Sequence, residues 1–269
     1  TINPAVDKTI EINNFSVGNV NRVASVRLDA GGKGINVSKV IKNLGGESRA
    51  MGILSGTPGK FIKGYLDEIN ILNDFVFTSG ETRTNIKVVD MLNHTNTDIN
   101  EAGPEASLKD LNDVSDKVFN NINSDDIIIL SGSVPRNVDK KIYGNWITKA
   151  KEKGAKTILD ADGEMLKAGI IAGPYLVKPN IDELRAMFNK KIEGVAETAE
   201  IAKSLLEYGI IIVAVSLGSE GALFVTKEST IYAHGIKVDV KSTVGAGDSM
   251  VAALAYSLEK GLSFQNTVK

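Results

Sequence analysis

The chain has 269 residues with 31 Lys+Arg against 33 Asp+Glu, a formal net charge of −2, which excludes a protein that holds nucleic acid by charge alone. Cysteine is absent and there are only two histidines, His94 and His234, so disulfides, thiolate metal sites, a Cys nucleophile and an HExxH zinc helix are excluded. Any chemistry must run on Asp, Glu, Lys, Arg and backbone groups, and the missing thiols fit a reducing, cytoplasmic compartment.

The chain opens on TINPAVDKT, without an initiator Met or a visible signal peptide, and stops at Lys269 inside a helix-like stretch. It is therefore read as incomplete at both ends. No apolar run approaches the ~18 residues of a membrane span. Thr9–Leu28 alternates apolar and polar residues about a turn at Gly18-Asn19 and predicts a strand pair. Ala30–Gly46, AGGKGINVSKVIKNLGG, predicts a glycine-rich entry to a helix with Ile35, Val40, Ile41 and Leu44 on one side. Its glycines let the backbone approach a ligand and its helix start offers free N–H groups, although an ordinary surface-helix entry has the same pattern. It is neither a Walker loop nor a dinucleotide fingerprint. Thr82–Glu101 alternates again, with a turn near Asn93–Asn96, and predicts a second strand pair.

The pattern then changes. Asp125–Leu130, Lys156–Asp160, Tyr175–Pro179 and Ile210–Ser216 are short, nearly continuous apolar runs, as parallel strands buried on both faces require. Helical patterns lie between them at Val138–Lys153, Ile181–Phe188 and Ala196–Tyr208. This alternation predicts an α/β fold, a doubly wound, mostly parallel sheet in a single domain over residues 1–269. The two strand pairs, about residues 9–28 and 82–101, do not fit that sheet and predict a small inserted β-sheet lid.

Ligands of such sheets gather beyond the carboxyl ends of the strands. Ser131–Pro135, SGSVP, follows one strand and offers hydroxyls and turn N–H groups to a sugar or phosphate, or forms a plain βα loop. Lys178–Leu184, KPNIDEL, places Asn180 before a helix with Glu183 three residues on, which is a capping box or a set of oxygen ligands near Mg²⁺. Ser216–Phe224, SLGSEGALF, follows the strongest apolar run and either wraps a phosphate or turns tightly between strands. Ser242–Met250, STVGAGDSM, puts Gly245, Ala246 and Gly247 at a helix start, where N–H groups stabilise charge on a phosphoryl group. Asp248 sits in the first turn of that helix. It either complements the helix N-terminus or accepts a proton from an attacking hydroxyl, and the helix dipole is expected to keep it ionised as a weak base. Together these segments form a phosphoryl-transfer kit without a Walker lysine.

STVGAGDSM and AGGKGINVSKVIKNLGG resemble the second and first signatures of the ribokinase-like, phosphofructokinase-B family of sugar kinases, and KPNIDEL resembles its N-x-x-E motif. SLGSEGALF and SGSVP match further segments, in family order, along the whole chain. The resemblance implies an ATP- and Mg²⁺-dependent sugar kinase with a β lid closing over the acceptor. It implies Asp248 as the base and Gly245, Ala246 and Gly247 as the anion hole. Asn180 and Glu183 are implied to organise Mg²⁺ (through water) and the nucleotide phosphates, with Lys178 close by. Ser216, Gly218, Ser219, Gly221 and Thr243 are implied to line the nucleotide, and Asp7, Gly32, Asn36 and Ser131 the sugar.

Arg22, Lys33, Arg83, Asn85 and Lys87 add a basic and amide cluster that suits an acceptor already carrying a phosphate, with Glu101 nearby. Solvated lid charges are the other reading of that cluster. TRTNIK followed by TDINEAGP resembles the branch acting on fructose 1-phosphate, with the tagatose 6-phosphate branch as alternative and a silent sugar-phosphate-binding protein as the alternative outside enzymes. Apolar lid strands imply a homodimer through the lid; no nucleic-acid or membrane partner is expected. Two departures from the family pattern are Arg136-Asn137 after Pro135, and Asp162 where a serine is common.

Overall fold

The computed structural model describes residues 1–237 and 245–268. In chain order these residues form β1 (Ala5–Ile12), β2 (Val23–Gly31), α1 (Lys33–Asn43), β3 (Arg49–Ala50), β4 (Ile53–Ser55), α2 (Gly56–Glu68), β5 (Leu72–Asn73) and β6 (Val76–Thr78). Next come β7 (Arg83–Asp90), β8 (Thr95–Asn100), α3 (Leu108–Phe119), β9 (Ile127–Ser131), α4 (Ile142–Glu152), β10 (Lys156–Asp160), α5 (Gly163–Ile171), β11 (Leu176–Val177) and α6 (Ile181–Phe188). The chain closes with α7 (Gly194–Leu205), β12 (Ile212–Ser216), β13 (Gly221–Val225), β14 (Thr230–His234), α8 (Ala246–Glu259) and α9 (Phe264–Thr267).

The larger sheet runs β14-β13-β12-β11-β10-β9. β9 to β12 are parallel, and β13 and β14 add to the edge antiparallel. Alternate residues of β10 to β12 enter two different cores. Leu159, Val177, Val213 and Val215 pack with residues of α4, α5 and α7, among them Trp146, Leu166 and Ala202. Ile158, Leu176, Ile212 and Ala214 pack with Val37 and Ile41 of α1 and Val251, Leu254 and Ala255 of α8. Burial on both faces is why these strands are continuous apolar runs rather than alternating ones. It is the expected doubly wound arrangement.

The two strand pairs form a separate four-stranded sheet in the order β2-β1-β7-β8. Each hairpin is antiparallel, and the two are joined by a parallel β1–β7 pairing that aligns Asp7 with Asn85 and Thr9 with Lys87. That pairing joins residues about 80 positions apart, which alternation cannot reveal. Its inner end packs on α2 through Val6, Ala30, Ile62 and Leu66.

Several boundaries differ from the periodicity. β11 is two residues rather than five, because only Leu176 and Val177 pair with both neighbours. α4 begins at Ile142 rather than Val138, after a turn closed by Val138 N–H on Pro135 O and Ile142 N–H on Asp139 O. In α1 the buried residues are Ile35, Val37, Ser38 and Ile41, whereas Leu44 is the exposed C-cap.

Candidate functional site

Gly245, the N-cap of α8, has a φ of 81° that turns the chain into the helix. Asp248 lies in its first turn and is 6% exposed. The side chain is not a helix cap; Asn36 Nδ2 of α1 donates to Asp248 Oδ2 at 2.8 Å. α1 and α8 share one core, so this hydrogen bond is held by packing. Burial pushes the Asp248 carboxyl above its ordinary range, with Asn36, Lys33 and Lys178 opposing and Asp160 adding to the rise. Burial is the largest influence on this group, which makes Asp248 a stronger base than an exposed aspartate.

Lys33 opens α1 directly after Gly32, which has φ 103°. Its Nζ reaches Asp160 Oδ1 at 3.2 Å. Burial opposes its charge, yet Asp160, Glu183 and Asp248 together hold the ammonium above its ordinary range. Lys178, 4% exposed, pairs with the same Oδ1 at 3.2 Å and runs beneath Gly247, where a Cβ would lie 3.4 Å from Nζ. Asp160 ends β10 in register with Ser131 at the end of β9, and both are fully buried. Asp160 Oδ2 and Ser131 Oγ have no hydrogen-bond partner among the described residues. No signature in the sequence marked Asp160; its position at the end of a strand between two strand-end loops was the available signal.

Asn180 and Glu183 form the capping box of α6, with Glu183 N–H on Asn180 Oδ1 at 2.7 Å and Asn180 N–H on Glu183 Oε2 at 2.8 Å. Burial raises the Glu183 carboxyl, opposed by that N–H and by Lys33 and Lys178. An isolated parallel bridge ties Asn180 to Ser216, bringing the end of β12 beside this box. Gly218 and Ser219 lie in an exposed 3₁₀ turn. At Gly221 φ is 113° and a Cβ would stand 2.0 Å from Ala233 O, so the β12–β13 connection requires glycine there. The segment is thus a tight turn between strands whose first residue reaches the site. Thr243 lies outside the described residues.

From the smaller sheet, Asp7 accepts from Asn85 Nδ2 at 3.0 Å. Burial raises its carboxyl, and a Cβ on Gly31 would fall 2.0 Å from Asp7 Oδ2. Arg83 is occupied: Nε and Nη2 donate to Asn3 O at 3.2 and 3.0 Å, and Nη1 to Glu101 O at 3.5 Å. The Glu101 carboxylate accepts from Thr84 N–H at 2.8 Å. Lys87 stands 3.9 Å from Asp98. Arg22 lies in the exposed β1–β2 connection, apart from the hydrogen bonds and ion pairs that join the other residues.

A buried carboxylate at a glycine-led helix start, two lysines on one further carboxylate and a carboxamide–carboxylate pair on an adjoining sheet make an arrangement chemically suited to phosphoryl transfer to a polyhydroxy acceptor. The family comparison gives that class its place: the chain belongs to the pfkB family of carbohydrate kinases, which matches residues 1–269. It is 36% identical over 270 residues to a 1-phosphofructokinase of Borreliella burgdorferi, covering 100% of this chain and 87% of that protein. It superposes on Escherichia coli phosphofructokinase-2 in complex with substrates and products with a TM-score of 0.95 at 30% identity, over 100% of this chain and 88% of the other. A ribokinase of Thermotoga maritima, at 21% identity over 99% of this chain and 86% of its own, shares the fold with a TM-score of 0.76. The protein is an ATP-dependent sugar kinase of ribokinase-like fold. No helix among the described residues is long and apolar enough to cross a membrane.

Proposed function

We propose that the chain transfers the γ-phosphoryl group of ATP to the free 6-hydroxyl of fructose 1-phosphate, giving fructose 1,6-bisphosphate. The observation that carries the chemistry is Asp248, a buried carboxylate raised toward basicity and aimed by Asn36. A protein that only binds a sugar phosphate has no use for such a base. The curated relative named 1-phosphofructokinase supports the choice of acceptor.

Asp248 accepts the hydroxyl proton as the sugar oxygen forms its bond to the γ-phosphorus and the bond to the β–γ bridging oxygen breaks, releasing ADP. The N–H groups at the start of α8 face the charge that develops on the phosphoryl oxygens. Lys33 and Lys178 add positive charge on the same path. Asp7 and Asn85, already bonded to each other, hold sugar hydroxyls. Arg83, Lys33 and Lys87 address the phosphate carried by the acceptor, and Ser216 to Gly221 border the nucleotide.

Mg²⁺ bound to the nucleotide would neutralise phosphate charge. The residues present fit a cation that arrives on ATP and keeps its water shell: one Glu183 oxygen already accepts from Asn180 N–H, and no group of three His, Cys, Asp or Glu among the described residues forms a protein cage.

The smaller sheet acts as a lid that closes on the sugar and excludes water. One of its faces carries Asp7, Asn85, Thr9 and Lys87; the other carries Ile10, Val26, Leu28 and Ile99. Val26, Leu28 and Ile99 are about half exposed, and we assign this apolar face to a second copy of the chain. A dimer in sedimentation at micromolar concentration that becomes monomeric in Leu28→Asp is expected; a wild-type monomer refutes the assignment.

The function is tested by coupled ADP release with Mg²⁺-ATP, comparing fructose 1-phosphate, fructose 6-phosphate, tagatose 6-phosphate and fructose by kcat/KM. Preference for fructose 1-phosphate is expected. Preference for tagatose 6-phosphate moves the substrate and keeps the mechanism. Sugar-phosphate binding without turnover of any of them refutes the kinase.

A further inference from the structure

No motif singles out Asp160, yet it lies at the centre of the charged site. Its carboxylate is fully buried at the end of β10. A single oxygen, Oδ1, receives Lys33 Nζ and Lys178 Nζ, each at 3.2 Å. The two lysines come from different parts of the molecule. Lys33 opens α1, three residues before the Asn36 that aims the base, on the side of the smaller sheet. Lys178 precedes the Asn180–Glu183 box and runs beneath Gly247 at the start of α8. Neither lysine makes another ion pair among the described residues. Two ammonium groups this close repel each other, and a buried carboxylate is costly unless paired, so each of the three charges is tolerated because of the other two.

We propose that Asp160 is a positioning residue that holds Lys33 and Lys178 as one linked pair, so that the cation on the acceptor side and the cation on the donor side meet the transferring phosphoryl group together. The inference rests on the phosphoryl-transfer reading above. It explains why a fully buried aspartate stands at this strand end with both lysines on one oxygen. It also ties the two halves of the site: a displacement of Lys33 is felt at Lys178 through a shared oxygen.

Asp160→Asn keeps the shape and removes the charge that holds both lysines. Loss of positioning across the reacting centre is expected to lower kcat by roughly 10²-fold, more than it changes either KM. Among the described residues, the charged groups facing Asp248 are Lys33 of α1, Asp160 of β10 and Lys178 of the β11–α6 connection, with Asn36 as a neutral donor and Glu183 of α6 beyond Lys33. With the Asp160 charge gone, Asp248 loses a facing anion and keeps both of these cations. The acid limb of the pH–rate profile is therefore expected to move to lower pH, a displacement that loss of packing alone does not produce. The Mg²⁺ concentration for half-maximal rate should stay where it is.

A kcat within threefold of wild type overturns the proposal. So does a shifted Mg²⁺ requirement with an unmoved acid limb, which would make Asp160 a metal group. Should Asp160→Asn fail to fold, Lys33→Met, Lys178→Met and the double variant decide the matter. A linked pair gives a double variant whose loss in kcat is well below the product of the single losses. A multiplicative loss overturns the linkage. A wild-type chain without turnover defeats the functional reading as well, whereas an active wild type with independent lysines defeats only the pairing.

Discussion

Replacing Asp248 by asparagine changes one atom type at the centre of the proposed chemistry and little else. The side chain is buried and its structural hydrogen bond is an acceptance from Asn36 Nδ2 at 2.8 Å. Asparagine keeps an acceptor oxygen for that donor, so Asn36, α1 and the sugar side of the cleft stay in place. What is lost is the ability to take a proton. General-base catalysis is worth about 10²–10⁴-fold, or roughly 2.7–5.4 kcal/mol of transition-state stabilisation. kcat should fall by that factor, while the Kd for sugar phosphate, read by calorimetry without ATP, stays within about threefold.

The variant should not lose stability. Burial raises the Asp248 pKa in the folded state, so its ionisation opposes folding. The stabilisation present at low pH is lost as pH rises from the unfolded pKa through the higher folded one, and at pH 8 the neutral asparagine avoids that loss. Its Tm at pH 8 should be at or above that of wild type. A kcat within fivefold of wild type, or sugar binding that falls in step with turnover, would refute the assignment of Asp248 as the base.

Arg83→Ala should raise the Kd for the phosphosugar by about tenfold and leave that for ATP nearly unchanged, measured by calorimetry for each ligand. Equal losses for both would mean that the guanidinium serves the fold by gripping Asn3 O and Glu101 O rather than the acceptor phosphate. Asn180→Ala removes half of the capping box of α6, at a cost of about 1 kcal/mol, and should lower Tm by about 2–4 °C. The same variant should raise the Mg²⁺ concentration needed for half-maximal rate; a fall in Tm with unaltered Mg²⁺ dependence would leave Asn180 a cap and nothing more.

The larger sheet was legible because its strands are buried on both faces, and residues such as Ile158 and Leu159 must then both be apolar although they point into different cores. The smaller sheet was legible as two hairpins, because each alternates, but not as one sheet: β1 and β7 pair across a long stretch of chain. Glycine segments announced the loops around the site, and Asp248 was visible because such a segment precedes it. Asp160 was not visible, since a strand-final aspartate carries no spacing of its own and its meaning comes from lysines 127 positions before it and 18 positions after it. The rise in the Asp248 pKa was not legible, because a helix start can be read from sequence and the burial of that start cannot. Arg83 was legible as a cation and not as one already gripping a backbone carbonyl.

The charges of the site explain why it is built across two sheets. Asp7, Asp160, Glu183 and Asp248 are partly or fully withdrawn from water, and burial raises three of them, Asp7, Glu183 and Asp248. Each of those three is restrained by a donor or cation from another element: Asp7 by Asn85, Glu183 by the Asn180 N–H and the lysines, Asp248 by Asn36. Such a cleft would repel a nucleotide if its carboxylates faced it bare. Lys33 and Lys178 turn the balance, and their common anchor keeps both cations near the path between donor and acceptor even before either substrate arrives. On the proposed function, the smaller sheet brings the Asp7–Asn85 pair to the sugar, while Asp248, the lysines and the capping box stay on elements packed into the larger sheet. That reading leaves proton acceptance and charge neutralisation to elements packed into the larger sheet, and recognition of the acceptor to the smaller one.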